Sequence, residues 1–139
     1  MTLPALPPLV LDTNIIGYMY RGDALGSAYA ERLKGHLTVV AFQTVAEVRF
    51  GMAKAGWGDR RRMDQERFMA RFRPIFPTDS VCTHWAHAML GARRAGHPID
   101  TADAWIAATA LALGCPLVTH NAADYAGVPN LKIISEQPL

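Results

Sequence analysis

Asp12 ends the apolar run Leu9-Val10-Leu11 and is followed by Thr13 and Asn14. A carboxylate, a hydroxyl and an amide therefore stand where a buried strand gives out. Three further places carry acids at similar junctions. Glu47 falls in the first turns after the run Leu37-Thr38-Val39-Val40. Asp103 opens the small-residue stretch ADAWIAATALAL, three residues after Asp100. Asn121 and Asp124 follow Pro116-Leu117-Val118-Thr119. The chain has only 12 acids in 139 residues, so their recurrence at such junctions needs an explanation. Clustered carboxylates repel one another and resist desolvation unless a proton or a cation neutralises them. An oxygen-only donor set, without paired Cys or His ligands, suits a hard cation such as Mg²⁺ or Mn²⁺. Such a site suits phosphodiester cleavage, in which the metal binds a phosphate oxygen and lowers the pKa of an attacking water.

Each residue also has a purely structural reading. Asp12, Thr13 and Asn14 can cap a helix or form an Asx turn. Thr44 and Glu47 match the T-x-x-E capping box. Asp103 is favoured near a helix start by the macrodipole, and Asn121 with Asp124 can make a turn. Caps, however, have no reason to converge on one edge of a sheet. Ligands of open α/β sheets bind beyond the carboxyl ends of the strands.

The elements that must position these residues can be read from periodicity. Leu9–Leu11, Leu37–Val40, Pro116–Thr119 and Leu131–Ile134 are short, continuously apolar runs, as expected of strands buried on both faces. Helices are expected from Asn14 to Gly22, Leu25 to Lys34, Phe42 to Ala55, Asp59 to Arg73, Asp79 or Ser80 to Ala95, and Ile99 to Leu113. Pro74-Ile75-Phe76-Pro77 reads as an extended segment bracketed by prolines. Strands alternating with helices predict one α/β domain over residues 1–139, with a mostly parallel sheet covered on both faces.

Half the residues are hydrophobic and 19% are charged, which suits a sizeable core and argues against disorder. The net charge of +2 permits a local basic face without requiring one. No apolar run is long enough to span a bilayer, and MTLPALPPLV lacks the basic start of a signal peptide. Cys82 and Cys115 lack metal-ligand spacing and read as reduced thiols of a cytoplasmic protein. His84 and His87 lie three apart with no suitably spaced further ligand, so they read as ordinary helix residues. His120, inside LVTHNAADY, could approach a substrate but reads first as a turn residue.

The stretches LDTNI, TVAEVRFGMAKA, ADAWIAATALALG and LVTHNAADYAGVPNL together resemble the PIN-domain ribonucleases, specifically the VapC-type toxins of bacterial toxin–antitoxin pairs. They occur in the family's order and, with the segments between them, cover nearly the whole chain. The resemblance implies a three-layer α/β/α sandwich and a Mg²⁺- or Mn²⁺-dependent RNA endonuclease. It implies that Asp12, Glu47 and Asp103 are the metal-binding acids. At the fourth position many members carry an acid where this chain has Asn121, while Asp124 fits the N-x-x-D-[FY] form. Either Asp124 supplies the fourth acid, with Asn121 a neutral hydrogen-bonding residue, or Asn121 itself completes the site, which takes one metal or two. Thr13, Asn14 and Thr119 would support the acids, and Asp100 is an extra acid near the mouth.

The same resemblance implies a tRNA or rRNA substrate, a cognate antitoxin protein and a homodimer. The segment WGDRRRMDQERFMARFR is first of all a solvated helix face. Its Arg60, Arg61 and Arg62, with Arg49, Lys54, Arg93 and Arg94, are the cations available to RNA phosphates. Two other readings compete: a catalytically weak PIN-like protein-binding module, and a haloacid-dehalogenase-type phosphatase. The latter wants a second Asp two residues after the first, where Asn14 stands.

Overall fold

The computed structural model describes residues 6–137. Part of the N-terminal stretch read as unlike a signal peptide therefore lies outside the described residues. Five short strands form one sheet: β1 (Leu9–Leu11), β2 (Thr38–Ala41), β3 (Arg73–Ile75), β4 (Leu117–Val118) and β5 (Ile133–Ile134). Their order is β3-β2-β1-β4-β5, and every pairing is parallel. Between them run α1 (Thr13–Arg21), α2 (Ala24–Leu33), α3 (Phe42–Lys54), α4 (Asp59–Met69), α5 (Asp79–Arg94) and α6 (Thr101–Leu113). A single 3₁₀ turn covers Ala122–Tyr125.

Strand alternation divides the core in two. Val10, Val39 and Leu117 face α5 and α6, packing on Ala88, Ala92, Ala104, Ala107 and Ala110. Leu9, Leu11, Val40 and Val118 face the other layer, where Ile15, Ile16, Tyr29, Leu33 and Phe72 are buried. The result is the three-layer α/β/α sandwich expected from the sequence. The alanines explain why α6 can lie so close to β1 and β2: small side chains let the helix backbone approach the sheet.

The structure adds a strand to the four read from the sequence. Arg73–Ile75, which includes the first two residues of the segment read only as extended, pairs with β2 at the sheet edge. Pro74 is tolerated there because an edge strand must satisfy a neighbour on one side only. The helix expected to reach Arg73 accordingly ends at Met69. Thr78, rather than Asp79 or Ser80, caps α5, its hydroxyl accepting from Val81 N at 3.2 Å. Nor is there a capping box at Thr44: Ala41 is the N-cap residue of α3, and no side chain caps it.

Two features fix the α1–α2 hairpin. Gly22 ends α1 at φ +68°, a conformation in which a Cβ would be strained. Asp23 then caps α2 by accepting from Gly26 N at 2.8 Å. At Gly26 a Cβ would stand 2.1 Å from the carbonyl oxygen of Tyr18. Only glycine lets the two helices meet this closely, and that approach sets where Tyr18 and Tyr29 lie.

Candidate active site

In a sheet whose strands are all parallel, the helix after each strand begins at the carboxyl edge. The helix that leads into the next strand, such as α6 into β4, ends at the opposite edge and so starts near the carboxyl one. The starts of α1, α3 and α6, and the turn after β4, therefore share the carboxyl edge. Asp12 directly follows β1, with its N–H donating to Val118 O at 2.9 Å. It is the N-cap of α1, and its Oδ1 accepts from Thr13 N at 2.8 Å. Its Oδ2 accepts from the Thr119 hydroxyl at 2.7 Å. Asp12 is only 6% exposed and Thr119 is fully buried. Thr119 Oγ1 in turn accepts from Asn121 N at 3.0 Å, so one hydroxyl ties the β4 turn to the acid.

Glu47 is reached through Thr13. The Thr13 hydroxyl donates to Glu47 Oε2 and lies 3.0 Å from the buried Thr44 hydroxyl. With the Thr13 proton committed to Glu47, Thr44 is the donor of that second contact. Gln43 donates to Glu47 Oε1 at 3.3 Å. The residue after Asp12 thus holds the acid of α3 in place.

Asp103 lies in the first turn of α6, and the Tyr125 hydroxyl donates to its Oδ1 at 3.4 Å. Its carboxyl is pushed up to about 6, first by burial and then by the charges of Asp12, Asp124, Asp100 and Glu47. Asp12 is also raised, chiefly by burial, against the lowering effect of its bonds to Thr119, Thr13 and Tyr125. Burial and the charges of Asp12 and Asp103 drive the Tyr125 phenol far above its ordinary range, so its hydroxyl stays protonated and can donate to the acids. Asp124 is exposed on the 3₁₀ turn, and Asp100 is the exposed N-cap of α6.

The structure thus gathers Asp12, Glu47, Asp103 and Asp124 at one edge, with Thr13, Thr119 and Asp100 beside them. Asn14 is exposed, and with Thr13 and Asn121 it lines a groove of about 910 Å³ that runs along α1 and α3 to Trp57 and Arg61. Arg61 stacks on the Trp57 ring at 4.0 Å, and Arg62 donates to Trp57 O at 2.9 Å. Two of the three consecutive arginines therefore pack on one tryptophan, and only Arg61 of the three lines the groove. A second cavity, about 420 Å³, holds His84, His87, Cys115 and Lys132 at the opposite end of β4, away from all these acids.

Tyr125, Thr44 and Tyr29 were not singled out as site residues from sequence. The signal for Tyr125 was the aromatic that closes N-x-x-D-[FY]. Thr44 was masked by its capping-box reading. Tyr29 carries no local signal, because its partners lie about ninety positions away in the chain.

The donor set is all oxygen and carries surplus negative charge, which fits Mg²⁺ or Mn²⁺. Among the described residues, no three acidic, His or Cys side chains come together tightly enough to enclose a metal by themselves.

An all-parallel sheet with carboxylates gathered beyond its strand ends places the chain among the open α/β proteins that bind ligands at that edge. The PIN domain family model matches residues 9–129. Ribonuclease VapC1 of Haemophilus influenzae (strain R2866) is 29% identical over 132 residues, covering 88% of this chain and 93% of that protein. Ribonuclease VapC4 of Mycobacterium tuberculosis is 31% identical over 107 residues, covering 76% and 82%. Among solved structures, VapBC2 from Rickettsia felis bound to a promoter DNA fragment superposes with a TM-score of 0.82 at 22% identity, covering 95% of this chain and all of that one. VapBC-1 from nontypeable H. influenzae gives 0.76 at 26% identity, covering 94% and 98%. The chain belongs to the PIN-domain family, in its VapC branch.

Proposed function

We propose that the chain is a divalent-metal-dependent endoribonuclease, the toxin of a toxin–antitoxin pair, acting on RNA in the cytoplasm. The observation that carries the reading is the convergence of Asp12, Glu47 and Asp103, with the Asp103 carboxyl held near 6 by burial and by its acidic neighbours. Such an edge is poised to exchange protons for a cation.

Asp12 and Asp103, with Glu47, would hold Mg²⁺ or Mn²⁺, and Asp124 would add a carboxylate at the exposed side. When bound, the cation supplies Lewis-acid polarisation of the phosphate and a water of lowered pKa. The chain's own residues fix the donors. Thr119 and the Thr13 N–H hold both oxygens of Asp12, and the Thr13 hydroxyl holds Glu47. Tyr125 donates to Asp103, and Asn121, Asn14 and Asp100 flank the opening. The groove continuous with this edge offers Arg61, Trp57 and Tyr18 to a strand or a partner segment. Structural relatives include a toxin–antitoxin complex and a member of the VapBC family of toxin–antitoxin systems, which supports a cognate antitoxin as partner. A structured RNA such as tRNA or rRNA as substrate, and assembly as a homodimer, follow the same family reading.

Asp12→Asn tests the proposal. The variant is expected to stay folded by circular dichroism and to lose RNA cleavage by about two orders of magnitude or more. Wild-type cleavage rates in the variant would sink the reading.

A further inference from the structure

Tyr29 has 0% exposure, yet its hydroxyl reaches the active edge rather than ending in the apolar core. The Glu136 backbone N–H donates to it at 3.0 Å. The Thr119 carbonyl lies 3.4 Å away and His120 Nδ1 only 2.6 Å away. The Tyr29 and Tyr18 rings both meet the His120 imidazole edge to face, with centroids at 5.7 and 5.5 Å. A ring on an otherwise unremarkable turn is thus held by one short hydrogen bond and two aromatic walls.

Counting protons fixes what this ring presents. The phenol has one proton to give, and Glu136 N already occupies one of its lone pairs. If the proton goes to His120 across 2.6 Å, Nδ1 is the acceptor and the neutral imidazole carries its hydrogen on Nε2. In the reverse arrangement the phenol proton is left with the Thr119 carbonyl at 3.4 Å, a long and weak bond. A protonated imidazole carries hydrogen on both nitrogens. The favoured neutral state and the charged state therefore both present Nε2–H, and Nε2 has no protein partner among the described residues.

His120 also stands at a particular place. It follows Thr119, whose hydroxyl binds Asp12, and precedes Asn121, which lines the groove. The ring also packs against Tyr18, which lines the groove, so a strand running from the groove toward the acids would pass a phosphate close to His120. The surrounding acids repel that phosphate, so a fixed N–H donor is the complementary group.

We propose that His120 is a substrate-contacting residue: its Nε2–H donates to a non-bridging oxygen of an RNA phosphate next to the scissile one, and Tyr29 is the residue that positions the ring. This rests on the ribonuclease reading above. The test uses the full chain with Ca²⁺ in place of Mn²⁺ and a fluorescein-labelled 12-nucleotide uridine RNA, with binding read by anisotropy. His120→Leu keeps the bulk and loses the donor, and is expected to weaken binding about tenfold, the weight of one hydrogen bond to a charged group. His120→Gln places an amide N–H near the position of Nε2 and should stay within about threefold of wild type. Tyr29→Phe frees the ring and should fall between the two. Ca²⁺ affinity by calorimetry should be unchanged in all three. A Leu variant that binds RNA like wild type overturns the inference, and so does a Gln variant as weak as Leu, or loss of Ca²⁺ binding along with RNA binding. Cleavage by Asp12→Asn, run in parallel, reports on the ribonuclease reading separately.

Discussion

Asp12 shows how one carboxylate can be caged by its own fold and still be held against its charge. Both oxygens are hydrogen-bonded, yet burial still lifts its pKa and it faces Glu47. Replacing it by Asn removes a buried charge from a repulsive group, so the variant that loses activity should gain stability. In metal-free buffer at pH 8, Asp12→Asn is expected to melt about 2 °C or more above wild type, the usual exchange of function for stability. A lower melting temperature would show that the cage outweighs the repulsion. Tyr125 makes a second residue-level case. Tyr125→Phe keeps the buried ring and removes only the hydroxyl that donates to Asp103 and also supports Asp12. It should lower RNA cleavage about tenfold and shift the melting temperature little, the weight of one hydrogen bond to a carboxylate. At this scale the sequence exposes the acids, because acids at strand ends are rare and chemically expensive. It does not expose Tyr29 or Thr44, whose importance lies in contacts across the fold and leaves no local pattern.

Elements were legible where one physical signal dominated. Continuous apolar runs marked the strands buried on both faces, and Gly22 and Gly114 ended helices in the left-handed conformation they favour. The edge strand β3 was not legible. Its middle residue is Pro74, and an edge strand with exposed residues loses the apolar signature that reveals its neighbours. The close approach of α1 and α2 was not legible either, since a glycine inside a helix reads only as a weak spot. Gly26→Ala tests that contact. Its Cβ would meet backbone at 2.1 Å, and backbone cannot rotate away, so overpacking of about 1–3 kcal/mol is expected. Gly51→Ala is the control. It lies within α3 with nothing near its missing Cβ, and should stabilise by up to about 1 kcal/mol through helix propensity. Thermal or denaturant melts of the pair decide it. Equal effects of the two would mean that the α1–α2 contact is looser than the structure describes.

At the scale of the whole molecule, a net charge of +2 hides a strong internal asymmetry. Five acids, Asp12, Glu47, Asp100, Asp103 and Asp124, gather at one edge of the sheet. Arg60, Arg61 and Arg62 stand at the start of α4, where Arg61 lines the groove and Asp59, Asp64 and Glu66 share the helix. The sequence could list these charges, but only the parallel topology brings the acids together. That concentration gives a pH signature. The Asp103 carboxyl sits at about 6 in the fold, against an ordinary value of 3.8. Below about pH 4 it is protonated in both folded and unfolded chains, and its protonated form adds full stability. As pH rises through 6 the folded chain must ionise a group that the unfolded chain has already ionised, so metal-free stability falls across that window. A cation bound at the same edge competes with the proton and is held better as the proton leaves. Adding 10 mM (order of magnitude) Mn²⁺ should therefore raise the melting temperature at pH 8 and do little at pH 5, following the logarithmic dependence of stability on ligand concentration. In Asp12→Asn the difference between the two pH values should shrink, because one donor is gone and the Asp103 carboxyl loses a neighbour that raises it. A Mn²⁺ effect equal at both pH values, or equal in wild type and variant, would place the cation elsewhere than at this acidic edge.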